Sequence, residues 1–194
     1  MQLTLSRKEQ IEQTATALFK SKGFSATSMR DLATALGIEA ASIYSHIKSK
    51  EEILQRVCFR MANEFFEALA KAESAPSSAT EKLKNAIVAH VLVLTSNTAA
   101  SAVFLHEWRH LSEPFLADYL LLRDQYEARF RSIIKEGIAN GEFTVPDEKF
   151  AVLTIFSGLN WIHTWYNPAG KMTPVQIAEN LSAMLLNGLK NNNN

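Results

Sequence analysis

The stretch from Thr27 to Lys50, TSMRDLATALGIEAASIYSHIKSK, constrains the fold more than any other, because it carries two short helix signals on either side of a glycine. Thr27 or Ser28 suits an N-cap, and Asp31 falls where a third helical residue reaches back to that cap. Leu32, Ala33 and Leu36 recur at helical spacing, and Gly37 supplies the left-handed residue that ends the helix and reverses the chain within about four residues. Ile38 plugs the turn. The spacing predicts a second helix over 40–47, with Ile43 and Ile47 facing inward and Ser42, Ser45 and His46 facing outward. Two helices joined by a short glycine turn make a helix-turn-helix, whose second helix suits the major groove of DNA.

The remaining segments also read as helices. The first is expected over 6–21, with Ile11, Ala15, Leu18 and Phe19 as its buried stripe, Gly23 as its end and Phe24 packing between it and the helix-turn-helix. A fourth begins at a Ser49 cap, with Glu51 and Glu52 at the positive end of the helix dipole, and runs to about Glu73. SAPSSA, over 74–79 and broken by Pro76, reads as a linker. Further helices are expected over 80–95, 99–111, 114–140, 148–166 and 174–189, with Gly141 and Gly170 near helix ends. No segment shows sustained strand alternation, and no internal repeat is visible. The expected fold class is therefore all-α: a helix-turn-helix domain over 1–50, a helical domain over 51–190 and a disordered asparagine tail over 191–194.

With 194 residues, of which 47% are hydrophobic and 21% charged, the chain can bury one core or two closely packed ones. No run approaches the roughly 18 apolar residues needed to span a membrane, so no membrane partner is expected. The lone Cys58 can form no internal disulfide and fits a reducing compartment, which makes the cytoplasm the expected location. Net charge is zero, but its distribution is uneven. Nine basic residues stand against six acidic ones through residue 60, and eleven against fourteen thereafter, so the two parts carry +3 and −3. That asymmetry suits a DNA-facing end and a body turned to other work.

The segment EKFAVLTIFSGLNWIHTWY, 148–166, is apolar nearly all the way round. Phe150, Leu153, Ser157, Trp161 and Trp165 lie along one side, and Val152, Ile155, Leu159, Ile162 and Tyr166 along another. A helix without a polar face must be covered on both sides, and a second copy of the chain would complete the cover.

Thr27, Leu32-Ala33, Ala35-Leu36-Gly37, Tyr44 and Ser49-Lys50-Glu51 stand in the order and spacing of the DNA-binding region of the tetracycline-repressor (TetR) family, which this chain resembles. The chain departs from the family at Ala40 and Ala41, where members often carry a polar or basic residue and a glycine. Methyl contacts to thymine therefore join hydrogen bonds in the expected base reading, with Ala40 among the contacts. Ser42, Ser45 and His46 are the candidates for base edges, and Thr27, Ser28, Tyr44 and Lys50 for phosphates.

The resemblance implies a homodimer joined by the last two long helices, with Leu181, Met184, Leu185 and Gly188 as the facing stripe of the final one, and a double-stranded, palindromic DNA operator. It also implies a repressor with an effector pocket among the middle helices, where a bound small molecule moves the fourth helix and releases the DNA. Phe104, Trp108, Tyr126, Phe130, Phe156 and Asn160 are the candidate lining. GEF at 141–143, SGLNW at 157–161 and WYNPAGKMTPVQIAENL at 165–181 are similar to the tails of TetR-family regulators of fatty-acid, aromatic-acid and steroid breakdown. This narrower likeness implies an acyl-CoA thioester as effector. The Trp165-Tyr166-x-Pro168-x-Gly170 pattern is expected to shape the turn between the last two helices.

His106-Glu107-Trp108-Arg109-His110 opens a different class, since H-E-x-x-H on a helix puts two imidazoles one turn apart and able to share a zinc ion. Read that way, the chain would be a metal sensor, with His90 as a further ligand, or a zinc metallopeptidase with Glu127 or Glu136 recruited from the next helix. The bland reading, satisfied or exposed histidines, is preferred, and no metal or other cofactor is expected. No catalytic residue is assigned, because the chain has no glycine-rich phosphate loop, no base beside Cys58 and no Ser-His-Asp pattern.

Overall fold

Side-chain caps mark the starts of several helices of this chain. Ser6, Ser28 and Ser78 each accept a hydrogen bond from the backbone N–H three residues on, and the acid there (Glu9, Asp31, Glu81) reaches back to the cap. These boxes start α1 (Arg7–Lys22), α2 (Met29–Leu36) and, later in the chain, Ala79–Ser96. The Ser49 hydroxyl accepts from the Glu52 N–H, 3.1 Å, and Asp147 from the Phe150 N–H, 2.6 Å, at the starts of Lys50–Glu73 and Glu148–Asn160.

The computed structural model describes residues 5–74 and 77–189, so Pro76 of the expected linker and the 191–194 tail lie outside the described residues. Between α2 and the later helices comes α3 (Ala40–Tyr44), followed by α4 (Lys50–Glu73), α5 (Ala79–Ser96) and α6 (Thr98–His106). A 3-10 turn (Glu107–His110), α7 (Phe115–Ala139), α8 (Glu148–Asn160), α9 (Ile162–Trp165) and α10 (Pro174–Leu189) complete the order. The described residues contain no β-strand, and none of their helices alone is long and apolar enough to cross a membrane.

Packing divides the chain into two compact units. One takes the residues up to Met61 with Ala99–Leu120, and the other Ala62–Thr98 with the residues from Leu121 on. In the first unit, Ile11, Phe19, Leu32, Ile43, Ile47, Leu54 and Met61 form the core. Glu12 is buried with them, its carboxylate gripped by Arg56 Nε at 2.9 Å and Arg60 Nη2 at 3.0 Å. The α1 stripe is therefore Ile11, Glu12, Ala15, Thr16 and Phe19, with Leu18 only half-buried, because two arginines from α4 make a buried carboxylate tolerable.

In the second unit α5 packs against α8, α9 and α10. The GEF sequence has a structural use there. Gly141 ends α7 at φ +74°, and Phe143 lies so close to Gly137 that a Cβ at 137 would stand 2.1 Å from its ring. Between them Glu142 accepts from the Ala79 and Thr80 N–H groups, 3.0 and 2.9 Å, closing the start of α5. Gly170 serves the expected turn after Tyr166, since its N–H bonds to Asn167 O at 2.8 Å and a Cβ would press on that same oxygen.

Three helices differ from their sequence expectation. α3 stops at Tyr44 rather than residue 47, because the Ser45 hydroxyl bonds back to Ser42 O and the His46 N–H turns to Ile43 O. The helix expected over 99–111 tightens to 3-10 geometry after His106. The helix expected over 148–166 breaks at Trp161, where the His163 ring takes the Asn160 carbonyl and the Thr164 N–H bonds instead to Trp161 O.

Candidate functional site

The first unit presents α3 as a short outward helix. Ile43 and Ile47 are fully buried beneath it, while Ser42, Tyr44, Ser45 and His46 are exposed and Ala40 is half-buried. Gly37, at φ +65°, ends α2 with its N–H on Ala33 and Thr34 carbonyls, and this left-handed turn sets the angle of α3. The residues expected at base edges thus share one accessible row.

The residues expected at phosphates separate. Ser28 is exposed at the start of α2, but its hydroxyl and N–H both bond to Asp31, at 2.5 and 2.8 Å. That hydroxyl first, and the Ser28 N–H second, hold the Asp31 carboxyl below its usual value. Thr27, expected beside a phosphate, is 2% exposed. Its hydroxyl donates to Gly23 O and its N–H to Phe24 O, so both serve the loop that precedes α2. Lys50 donates from Nζ to Phe24 O at 2.6 Å and to Thr27 O at 2.7 Å, and lies 4.2 Å from the centre of the Phe24 ring.

The residues expected to line a pocket fall into two aromatic groups. In the first unit Phe104 and Trp108 pack on Tyr119, whose hydroxyl donates to Phe104 O, and Arg109 lies over the Trp108 ring. In the second unit Tyr126, Phe130, Phe156 and Asn160 converge on His90, a residue that the sequence offered only as a metal ligand. Phe65, Tyr126 and Phe156 stand with ring centres 4.7, 5.8 and 5.7 Å from the imidazole, and Phe130 at 6.5 Å. His90 could have been found from the sequence, since it falls on the buried stripe of α5 with Leu83, Ala86, Ile87, Val91 and Leu94.

Inside this cage the imidazole meets Tyr126 Oη at Nδ1 and Asn160 Oδ1 at Nε2, each at 3.2 Å. An imidazole flanked by a hydroxyl and an amide oxygen is satisfied in its neutral form, with Nε2–H donating to Asn160 and Nδ1 accepting from Tyr126. Burial pulls the His90 pKa down to about 4, opposed by the Asn160 hydrogen bond. Burial also raises the Tyr126 phenol. Neither group is set to exchange protons near neutrality. The cluster is a line of mutually satisfied hydrogen bonds in apolar surroundings.

The HEWRH segment makes no metal cage. Glu107 accepts from the Phe24 N–H at 3.2 Å, and the His110 ring stacks on Phe24 with centres 5.1 Å apart. In a 3-10 turn each residue advances by about 120°, so positions four apart no longer share a face. Among the described residues no group of three or more His, Cys, Asp or Glu is placed to hold a metal ion. Cys58 is also inert, buried and with its thiol pushed up to about 12.

Residues 11–57 match the family described as bacterial regulatory proteins, tetR family, and residues 76–189 match the tetracyclin repressor-like C-terminal domain. The HTH-type transcriptional repressor KstR2 of Mycolicibacterium smegmatis is 26% identical over 186 residues, covering 95% of this chain and 91% of that protein. The structure of the ketosteroid transcriptional regulator KstR2 of Mycobacterium tuberculosis superposes with a TM-score of 0.91 at 24% identity, covering 97% of both chains. AibR in complex with isovaleryl coenzyme A and operator DNA gives 0.82 at 24% identity, over 93% of this chain and 98% of that one.

The neutral His90 makes stability depend on pH. Its folded pKa lies below the unfolded value of about 6.5, so its contribution is complete above that value and is lost as pH falls toward 4. Urea unfolding at pH 7 and pH 5 is expected to show about 2 kcal/mol of acid destabilisation from this residue. The same comparison in His90→Gln should lack that share, and an equal drop in both proteins would contradict a neutral buried imidazole.

Proposed function

The chain belongs to the tetR family of bacterial regulatory proteins, and from that premise we propose a homodimeric repressor that reads a palindromic operator and leaves it on binding an acyl-CoA thioester. The observation that carries this reading is the outward row Ser42, Tyr44, Ser45 and His46, held over buried Ile43 and Ile47. Short polar side chains on a helix fixed from beneath can meet base edges without first being ordered. The head over 1–50 supplies the reading, and the remainder over 51–190 supplies pairing and effector sensing.

Within the head, Ser42, Ser45 and His46 take base edges, the Ala40 methyl meets thymine, and Ser28 and Tyr44 take phosphates. Thr27 contributes through the loop. Lys50 gives two of its three N–H donors to loop carbonyls, which leaves one for a phosphate oxygen. Lys50→Met is expected to weaken binding to every duplex and to make the slope of log affinity against log salt shallower by about one unit. Weaker binding with an unchanged slope would confine Lys50 to the loop.

Pairing rests on α8 and α10. The Val152, Ile155 and Leu159 side of α8 is buried within the chain, whereas Phe150 is 67% exposed, Trp161 64% and Met184 of α10 75%. Leu153, Ser157, Trp165 and Gly188 are exposed with them, and Leu181 and Leu185 are half-buried. A second copy seated on this face makes a twofold dimer, whose two heads reach major grooves about 34–36 Å apart or a multiple of that. Trp161→Glu is expected to halve the sedimenting mass and to weaken operator binding about a hundredfold, through loss of the second head. A dimer of unchanged stability would move the interface elsewhere.

The effector is assigned to the cage of the second unit, with Tyr126, Phe130, Phe156 and Asn160 around His90. The acyl-CoA class is supported by the tail resemblance and by AibR, which has been crystallised with isovaleryl coenzyme A and operator DNA. α4 is one continuous helix with residues in both units, so a shift that begins at Phe65 or Phe66 beside Tyr126 has a backbone path to Lys50. An effector that weakens DNA binding must itself bind the DNA-bound form less tightly. Titration of an operator duplex at two salt concentrations, with and without acyl-CoA species of varied chain length, tests this. Salt-sensitive binding lost with one thioester is expected, while unchanged DNA affinity and melting temperature across the panel would discard the class.

A further inference from the structure

Phe24 is a loop residue held at every group it has. Its N–H is accepted by Glu107 Oε2 at 3.2 Å, and its carbonyl is taken by Lys50 Nζ at 2.6 Å. Its ring meets Phe19 edge-on and His110 face-on, each with centres 5.1 Å apart, and the Lys50 ammonium lies 4.2 Å from its centre. His110 Nε2 also stands 3.4 Å from Glu107 Oε2 and 3.5 Å from Ser25 Oγ. Two residues beyond the turn, Ser112 donates its N–H and its hydroxyl to Glu51, the neighbour of Lys50. Loop 23–27, the start of α4 and segment 107–112 thus close a three-way joint inside the first unit.

We propose that the 3-10 turn Glu107–His110 is a positioning element for DNA reading: it fixes the loop from Gly23 to Thr27, and through it the start of α2. The joint ends one residue before Ser28, the cap of α2, because Lys50 also holds Thr27 O. A loop has few backbone hydrogen bonds of its own, so its geometry follows whatever anchors it. Here the anchors are a carboxylate and an aromatic ring brought from 83 to 86 positions further along the chain. Glu107 and His110 act through Phe24 rather than on DNA. The segment that carries them joins residues of the second unit at Thr98 and Leu121, which gives a change there a covalent route to the head in addition to α4.

A loop displaced by a fraction of an ångström spoils base reading while leaving the net charge that drives non-specific binding in place. The test compares binding to a duplex that the wild-type protein selects from a random pool with binding to random-sequence duplex of equal length. Glu107→Ala is expected to lose about tenfold on the selected duplex, the consequence of removing a charged hydrogen-bond partner. It should keep its affinity for the random duplex after allowance for the lost negative charge, gauged with Glu107→Gln. Glu107→Gln retains an acceptor for the Phe24 N–H and should stay within about twofold of wild type on the selected duplex. Exchange of the Phe24 amide should quicken in Glu107→Ala and not in Glu107→Gln. His110→Leu, which keeps an apolar side chain against Phe24 but loses the ring nitrogens and the stacking, carries the same comparison if Glu107→Ala melts early, and is expected to lose selectivity in the same direction. Equal loss in Glu107→Gln and Glu107→Ala, equal weakening on both duplexes, or wild-type selectivity in Glu107→Ala and His110→Leu would overturn the proposal.

Discussion

The Lys50 ammonium on the carbonyls of Phe24 and Thr27 is the interaction around which the first unit is arranged. Hydrogen bonds from a charged donor contribute about 1.5–3 kcal/mol each, more than a neutral pair, and these two come from the first residue of a 24-residue helix. The turns that follow repeat the pattern. Glu51 holds Ser112, Glu52 holds the Lys48 N–H and Lys8, and Arg56 and Arg60 hold Glu12. The Glu51 carboxyl is kept below its ordinary value first by the Ser112 hydroxyl and then by the Ser112 N–H. α4 therefore does more than follow the helix-turn-helix. Its first turns bind α1, the loop before α2 and the segment after the 3-10 turn, so any force that moves α4 acts on all three.

The second unit solves a different problem, that of keeping polar groups inside an aromatic cluster. Tyr126, His90 and Asn160 satisfy one another in a line, so no donor is stranded, and the low pKa of His90 keeps the line uncharged. An all-apolar core would be simpler to stabilise. A neutral polar line among Phe65, Phe130 and Phe156 instead leaves directional hydrogen bonds that can be re-made, the property a site needs if it is to tell a ligand with a carbonyl from plain hydrocarbon.

What could be read from the chain was what is local. The Ser28-Asp31 cap, the Gly37 turn, the inward Ile43 and Ile47, the Ser49 start of α4 and the bounds of α10 all follow from residues within one or two turns of each other. Contacts over long separations were hidden. Glu12 is absent from the expected α1 stripe because its arginines stand 44 and 48 positions away, and nothing in the sequence shows Lys50 bound to the Phe24 and Thr27 carbonyls, 26 and 23 positions back. The disfavoured alternative at HEWRH rests on the same local view. Its metal reading assumes α-helical spacing, which fails once the backbone tightens after His106 and Glu107 is taken by a loop far earlier in the chain. The aromatic clusters were half legible: helical spacing shows which rings turn inward, but not that Phe104 and Trp108 gather on Tyr119 while Tyr126, Phe130 and Phe156 gather on His90.

The outward side of α8 shows how a face can be prepared for cover that the chain itself does not supply. From α8 into α9 the large residues Phe150, Leu153, Trp161 and Trp165 are exposed, and between them stand Thr154, Ser157 and Thr164. Polar residues there would ordinarily argue for a wet surface. Each hydroxyl, however, is turned back on its own helix: Thr154 donates to Phe150 O, Ser157 to Leu153 O and Thr164 to Trp161 O. A hydroxyl bonded in this way can be buried against another protein without leaving an unpaired donor, so the face costs little to desolvate. Small residues at Ser157 and Gly188 also let a second helix approach closely, where longer side chains would hold it off. The same segment that resists burial within one chain is thereby suited to burial between two, which is the cover that the proposed pairing of heads calls for.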